Sequence, residues 1–479
     1  MDRLPWTGFH WLVVIALGVS WILDGLEIQI VSLVSPVLQK TATLHISTVE
    51  AGLIGSVYLF GEVVGALVFG RLTDHFGRRK LFMLTLGIYL VGTGISGLSP
   101  TLWFLLLFRF VAGLGIGGEY SAINSAIDEL IPSRYRGRTD IAINGTYWFG
   151  AMIGSAASLI FFNPSFLPVN LGWRLAFFIG PVLGVIMIFL RRSIPESPRW
   201  LMTHGRYREA EKTVDDIEAR VEKSGVKLTK VPESKAIEIR ATGSISYRQI
   251  ASTMLREYPS RSFLGFSMMV TQSFLYNAIF FTYALVLTHF YSIPKDATAY
   301  YFFPFAAGNL LGPLLLGGLF DSVGRRKMIL LTYGLSGLLL AGSGVLFDEG
   351  VLTAFTQTAL WCVVFFFASA GASSAYLTVS EIFPLELRAQ AISFFFAISQ
   401  LVGGTAAPTL FAALIGNGHH TGPLSIGYFF GGAIMLAGGL VAWFFGVNAE
   451  RQSLEDVAPP LSQLSRADKG QPASEAAPA

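Results

Sequence analysis

Two near copies of one string, GRLTDHFGRRK from Gly70 to Lys80 and GGLFDSVGRRK from Gly317 to Lys327, sit 247 positions apart in this chain. Each follows an apolar stretch long enough to cross a bilayer, so the sequence is expected to fold as two related halves within a membrane. With 52% of residues apolar and 14% charged, and a mean hydropathy of +0.56, there is more apolar surface than a soluble fold can hide. Hydropathy resolves about twelve segments near the ~20 residues that span hydrocarbon. They run over 9–36, 49–71, 80–99, 101–131, 139–163 and 173–191, then 260–290, 296–320, 327–347, 352–383, 387–416 and 423–447. The expected class is an all-α integral membrane protein, with six-helix halves at 1–191 and 260–447, a polar linker at 192–259 and a tail at 448–479.

The first apolar stretch is too long for the core of a cleavable signal peptide and contains Asp24 and Glu27, so it reads as the first spanning helix. Cys362 is the single cysteine, which excludes an intramolecular disulfide. If the N-terminus is cytoplasmic, the short inner loops hold Arg71, Arg78, Arg79, Lys80, Arg134, Arg136, Arg138, Arg325, Arg326, Lys327 and Arg388. The outer loops then hold Lys40, Arg174 and Lys295, and this asymmetry places both termini in the cytoplasm. Within the linker, Ala210, Val214, Ile217 and Val221 recur at helical spacing and predict an amphipathic helix lying against the membrane domain. The tail after Val447, rich in Pro, Ala, Ser and charge, is expected to be disordered.

A dozen helices in two repeated halves point to a secondary transporter whose site lies between halves that rock against each other. Several motifs then bring in a family. Besides the two loops, Glu129, Pro132, Arg136 and Gly137 spell E-x-x-P-x-x-x-R-G at the end of the fourth segment. Glu381, Pro384 and Arg388 repeat it in the second half, with Ala389 in place of the glycine, and PESPRWL runs from Pro195 to Leu201. Through these the chain resembles the major facilitator superfamily and, within it, the sugar porters. Gly70, Gly77 and Gly324 allow close approach and turning, while Asp74 and Arg78 set opposite charges at a helix end. The resemblance implies that Asp74, Arg78, Glu129 and Arg138, with Asp321, Arg325, Glu381 and Arg388, form cytoplasmic charge networks that hold the outward-facing state.

An ionisable group inside hydrocarbon costs on the order of 3 kcal/mol or more and faces a cavity or a partner. Asp24, Glu27, Glu62, Arg109 and Glu119 are such groups. Asp24 and Glu27 lie three residues apart and can face one cavity, where two close carboxylates do not both stay ionised. That suits a group that takes a proton on one side and releases it on the other. At about 1.5 Å per residue, Asp24 lies about 18 Å and Arg109 about 12 Å from the outer face, a gap an extended Arg bridges, so Asp24 is the expected partner of Arg109. The resemblance agrees, since proton-coupled sugar porters carry an Asp and an Arg at matching positions. Glu119 is expected in the inner half of the pathway, and its GGEYSA context resembles carriers of organic ions, phosphate and vitamins more than hexose carriers. A packing role and a functional one are both open for Glu62.

TQSFLYNAIFFTY, Thr271 to Tyr283, puts amides and hydroxyls into an apolar helix, where they need partners that a solute could supply. Gln272 and Asn277 match part of the sugar porters' QQxxGxN, while Thr271 and Leu275 depart from it. Asn144, Tyr147, Tyr276 and Tyr376 complete the candidate solute site, with Trp148 adding aromatic surface. No proline-containing efflux signature follows Asn144, which favours import by proton symport, with uniport, efflux and a solute sensor on the same scaffold left open. Nothing reads as an enzyme: there is no phosphate loop or HExxH motif, and His419 with His420 is a weak metal site. The expected partners are a small solute, protons and the lipid bilayer. No cofactor, metal or nucleic acid is expected, and the chain is read as a monomer of a bacterial inner membrane.

Overall fold

Apolar segments of this length have one economical way to satisfy their backbone in hydrocarbon, the α-helix, which closes every hydrogen bond within the segment. A computed structural model of the chain accordingly is helical. It describes residues 3–461 except 39, 47, 163–164, 193–194, 224, 226–227, 229–246, 294–297, 416–419 and 460. The first half comprises α1 (Gly8–Leu38), α2 (Thr48–Phe76), α3 (Arg78–Ser96), α4 (Leu102–Leu130), α5 (Ser133–Gly145) with α6 (Tyr147–Phe161), and α7 (Val169–Arg192). The linker carries α8 (Pro198–Thr203), α9 (Tyr207–Glu222) and α10 (Tyr247–Ser252). The second half comprises α11 (Pro259–Tyr291), α12 (Thr298–Ser322), α13 (Arg325–Asp348), α14 (Ala354–Ile382), α15 (Leu385–Ser399) with α16 (Ala407–Ile415), and α17 (Gly422–Phe445), followed by the short α18 (Leu454–Val457).

These elements make twelve passes, six in each half. Among the described residues, 9 are single helices long and apolar enough to span by themselves. Of the other three, α3 begins with Arg78, Arg79 and Lys80, and two passes are interrupted where hydropathy showed continuous segments. The fifth breaks between α5 and α6 at Thr146, whose hydroxyl donates to the Gly18 carbonyl on α1 at 3.0 Å. The eleventh widens into a π-helical stretch, Gln400–Ala406, between α15 and α16. Pro408, which lacks an N–H, follows that stretch, and wide turns of this kind recur at functional sites.

Within the halves α2 packs on α4 and α1 on α6, and α12 packs on α14 and α13 on α17. The halves meet where α12 lies along α5 and α6, and where α2 lies along α15. Large apolar side chains remain exposed on the outer faces, as with Val182, Ile186 and Phe189 along one stripe of α7, the surface that lipid covers.

The linker is anchored at several points. Helix α9 buries Ala210, Ile217 and Val221, and Arg3 ion-pairs with Glu218 on it. The first part of the expected tail is folded rather than disordered: Leu454, Val457 and Ala458 are buried. Arg199 Nε donates to Glu455 at 2.5 Å and Arg261 donates to the Val457 carbonyl at 3.0 Å. Burial alone would raise the Glu455 carboxyl, but the Arg199 guanidinium outweighs it and holds the group at about 2. Residues 462–479 of the tail, like His419 and Lys295, lie outside the described residues.

Candidate functional site

The repeated loops lie at one end of the bundle, where their helices turn. Gly77 and Gly324 occupy matching positions with φ of 91° and 112°, a backbone region that costs a side chain dearly and glycine little. Gly70 and Gly317 lie inside α2 and α12, ahead of the turns. The side chains of Asp74 and Arg78 lie outside the described residues. In the second half, Arg325 donates to Asp321 at 2.8 Å and grips Glu381 through two bonds of 3.0 Å each.

Other contacts at this end join the halves. The Arg138 backbone N–H donates to Asp321 at 2.7 Å, Arg136 stands 3.6 Å from Glu381, and Arg388 stands 3.9 Å from Glu129. Glu129 also accepts from Ser197 of the PESPRWL segment. All six of these charged side chains other than Arg138 are buried. Gly137 provides the clearance, since a Cβ there would run into Arg325 and Asp321. Arg138 thus enters this network through its backbone, whereas the sequence pointed to its charge. Arg136 and Ser197 are members that the charge-pairing argument did not select.

Deeper in the first half, Arg109 forms a buried ion pair with Glu27 and lies over the Tyr58 ring at 4.3 Å. The expected partner, Asp24, instead accepts from the Tyr58 hydroxyl at 3.2 Å. The reason is depth: α1 extends to Leu38, so Asp24 sits lower than the shorter predicted span implied, and Glu27 is about 4.5 Å nearer the level of Arg109. Glu27, expected to face one cavity with Asp24, is not among the residues that line the small void beside Asp24. Asp24 lines a small void with Ser20, Trp21 and Glu119, so the second carboxylate facing it is Glu119.

Between the halves lies a cavity of about 160 Å³. All six residues of the candidate solute site line it: Asn144 and Tyr147 from the first half, and Gln272, Tyr276, Asn277 and Tyr376 from the second. The Tyr276 hydroxyl donates to Asn309 at 2.9 Å, and Asn277 donates to the Ser273 carbonyl at 2.8 Å. Trp21, Glu62, Ser273 and Gln400 also line it and were not assigned from sequence. Gln400, a lone amide in an apolar run, was the available signal. No Lys, Arg or His is among the lining residues, so Arg109 is not presented to a solute there. Among the described residues no group of three or more His, Cys, Asp or Glu is placed to hold a metal.

Residues 19–460 match the sequence model of the family described as sugar (and other) transporter. The chain belongs to that family. Among its relatives, the niacin transporter NiaP of Acinetobacter baylyi is 27% identical over 409 residues, 85% of this chain and 88% of the relative. A D-xylose transporter of Levilactobacillus brevis is 26% identical over 95% of each chain, and polyol transporter 5 of Arabidopsis thaliana is 26% identical over 88% of this chain and 80% of its own. The solved structure of the proton:xylose symporter XylE superposes with a TM-score of 0.77 at 17% identity, covering 93% of this chain and 98% of the other. The fold is therefore that of the major facilitator superfamily, and the protein is a multi-pass membrane transporter rather than an enzyme.

Proposed function

We propose that this family member imports a small polar organic metabolite together with protons, by alternating access through the cavity between its halves. The observation that carries the reading is the position of Trp21. It lines both the central cavity and the void faced by Asp24 and Glu119, so one side chain stands between the solute's space and those two carboxylates. Binding on one side of that wall can bias protonation on the other, which is the coupling a symporter requires. Asp24 is the group assigned to carry the proton, with Glu119 as its neighbour and the Glu27–Arg109 pair setting the local charge. The buried charges at the loop end serve as a latch that closes the cavity on that side and parts when the halves rock.

The basic loops support placing the latch and both termini in the cytoplasm, and the bacterial relatives support a bacterial inner membrane. The relatives are named for niacin, D-xylose and polyols, which supports a small polar solute, as do the amides and hydroxyls of Gln272, Asn277, Asn144 and Tyr376. Purified protein in proteoliposomes under an imposed pH gradient should accumulate such a solute, and a protonophore should collapse the accumulation. Uptake unchanged by the protonophore would overturn the coupling.

A further inference from the structure

The cavity contains a carboxylate that the coupling scheme leaves unused. Glu62, midway along α2, is wholly buried and lines the cavity. Its Oε2 accepts from Gln400 Nε2 at 3.4 Å, and its Oε1 has no hydrogen-bond partner among the described residues. The Tyr58 hydroxyl, the other donor beside it, points its single proton to Asp24. A carboxylate that only packs helices would offset its desolvation with a full set of donors, and Glu62, which lines the cavity, lacks one.

The surroundings define what would complete it. Aromatic rings face the cavity from both halves, with Trp21 and Tyr376 at 5.9 Å between centroids and Trp148 and Tyr276 at 5.8 Å. Aromatic faces attract cations, most strongly where water is excluded. An anionic solute would meet Glu62 with no basic side chain among the lining residues to offset the repulsion.

We propose that Glu62 is a solute-binding carboxylate and that the cavity selects a small organic cation, a compact frame bearing a protonated or quaternary nitrogen. The assignment rests on reading the cavity as the solute site. Gln400 extends the consequence to the second half, because it donates to Glu62 while its own carbonyl oxygen accepts from Ser273 at 3.0 Å. A cation on Glu62 competes with Gln400 for the carboxylate and so acts on a contact between the halves.

The test is calorimetric titration of the full-length protein in detergent with three probes that share one ring and differ in charge: the N-methylnicotinamide cation, nicotinamide and nicotinate. The cation is expected to bind at least about tenfold tighter than nicotinamide. Glu62→Gln should abolish that preference while leaving nicotinamide within about threefold of its original affinity, which also reports an intact cavity. Tightest binding of nicotinate, binding of none of the three, or a cation preference that survives in Glu62→Gln overturns the assignment. The charge order in the unaltered protein decides the matter even if the variant fails to fold. Loss of proton-coupled uptake with the charge order preserved would count against the coupling alone.

Discussion

At the latch end, Arg325 lies between Asp321 and Glu381, and Arg136 and Arg388 reach carboxylates of the opposite half. In the cavity, neutral groups dominate: Gln272, Asn277 and Tyr376 line it, Tyr276 meets Asn309, and Glu62 is the carboxylate among them. Glu129, Pro132 and Arg136 of the first half recur as Glu381, Pro384 and Arg388 in the second, whereas the cavity is lined by different residues from each half. The contrast follows from the tasks. Two halves that part and rejoin need mutually complementary contacts at equivalent helix ends. A solute lacks that symmetry, and its site must differ from one half to the other.

The largest expected effect lies at the latch. Arg325→Ala takes from Asp321 and Glu381 the buried cation that bonds both, a cost of about 3–5 kcal/mol. In a Cys362→Ser background, alkylation of Thr139→Cys, a buried position on α5, should quicken at least about tenfold when Arg325 is removed, since the latch opens more often. Unchanged alkylation would mean that these charges do not hold the halves together. In the cavity, Gln272→Ala should raise the solute's KM about tenfold, within the range for a lost buried hydrogen bond, and leave the latch alkylation rate as it was. A shift in both readouts would show that the two regions are not separable.

The smallest effect concerns the strap between linker and α18. Its Arg199–Glu455 pair is partly exposed, so Glu455→Gln should cost about 0.5–1 kcal/mol, read as faster amide exchange in α18. Glu455 is held at about 2, against about 4.3 for an unperturbed Glu. The contribution is therefore fully present above about pH 4.3 and is lost as pH falls toward 2. Exchange in α18 that rises on acidification through that window would agree, and exchange indifferent to it would remove the pair from the account.

The twelve passes were legible because hydropathy counts residues, and hydrocarbon thickness fixes how many are needed. The breaks at Thr146 and Gln400–Ala406 were hidden, because each depends on what a neighbouring helix offers. The charged helix ends were legible because charge and glycine spacing recur between the halves. The partner of Arg109 was misread because two extra residues at the end of α1 moved Asp24 about 3 Å deeper. Glu62 could not be assigned because a carboxylate within an apolar helix does not reveal which side faces a cavity. Trp21 was missed for the same reason, and it lines both the cavity and the void beside Asp24.

The most direct test of that junction is the external pH of a suspension of proteoliposomes when solute is added, with the unaltered protein and Asp24→Asn side by side. Solute entry through the unaltered protein should alkalinise the medium, and Asp24→Asn, nearly isosteric, should exchange solute without moving protons. Equal alkalinisation by both proteins, or solute entry through the unaltered protein with no pH change, would contradict the coupling.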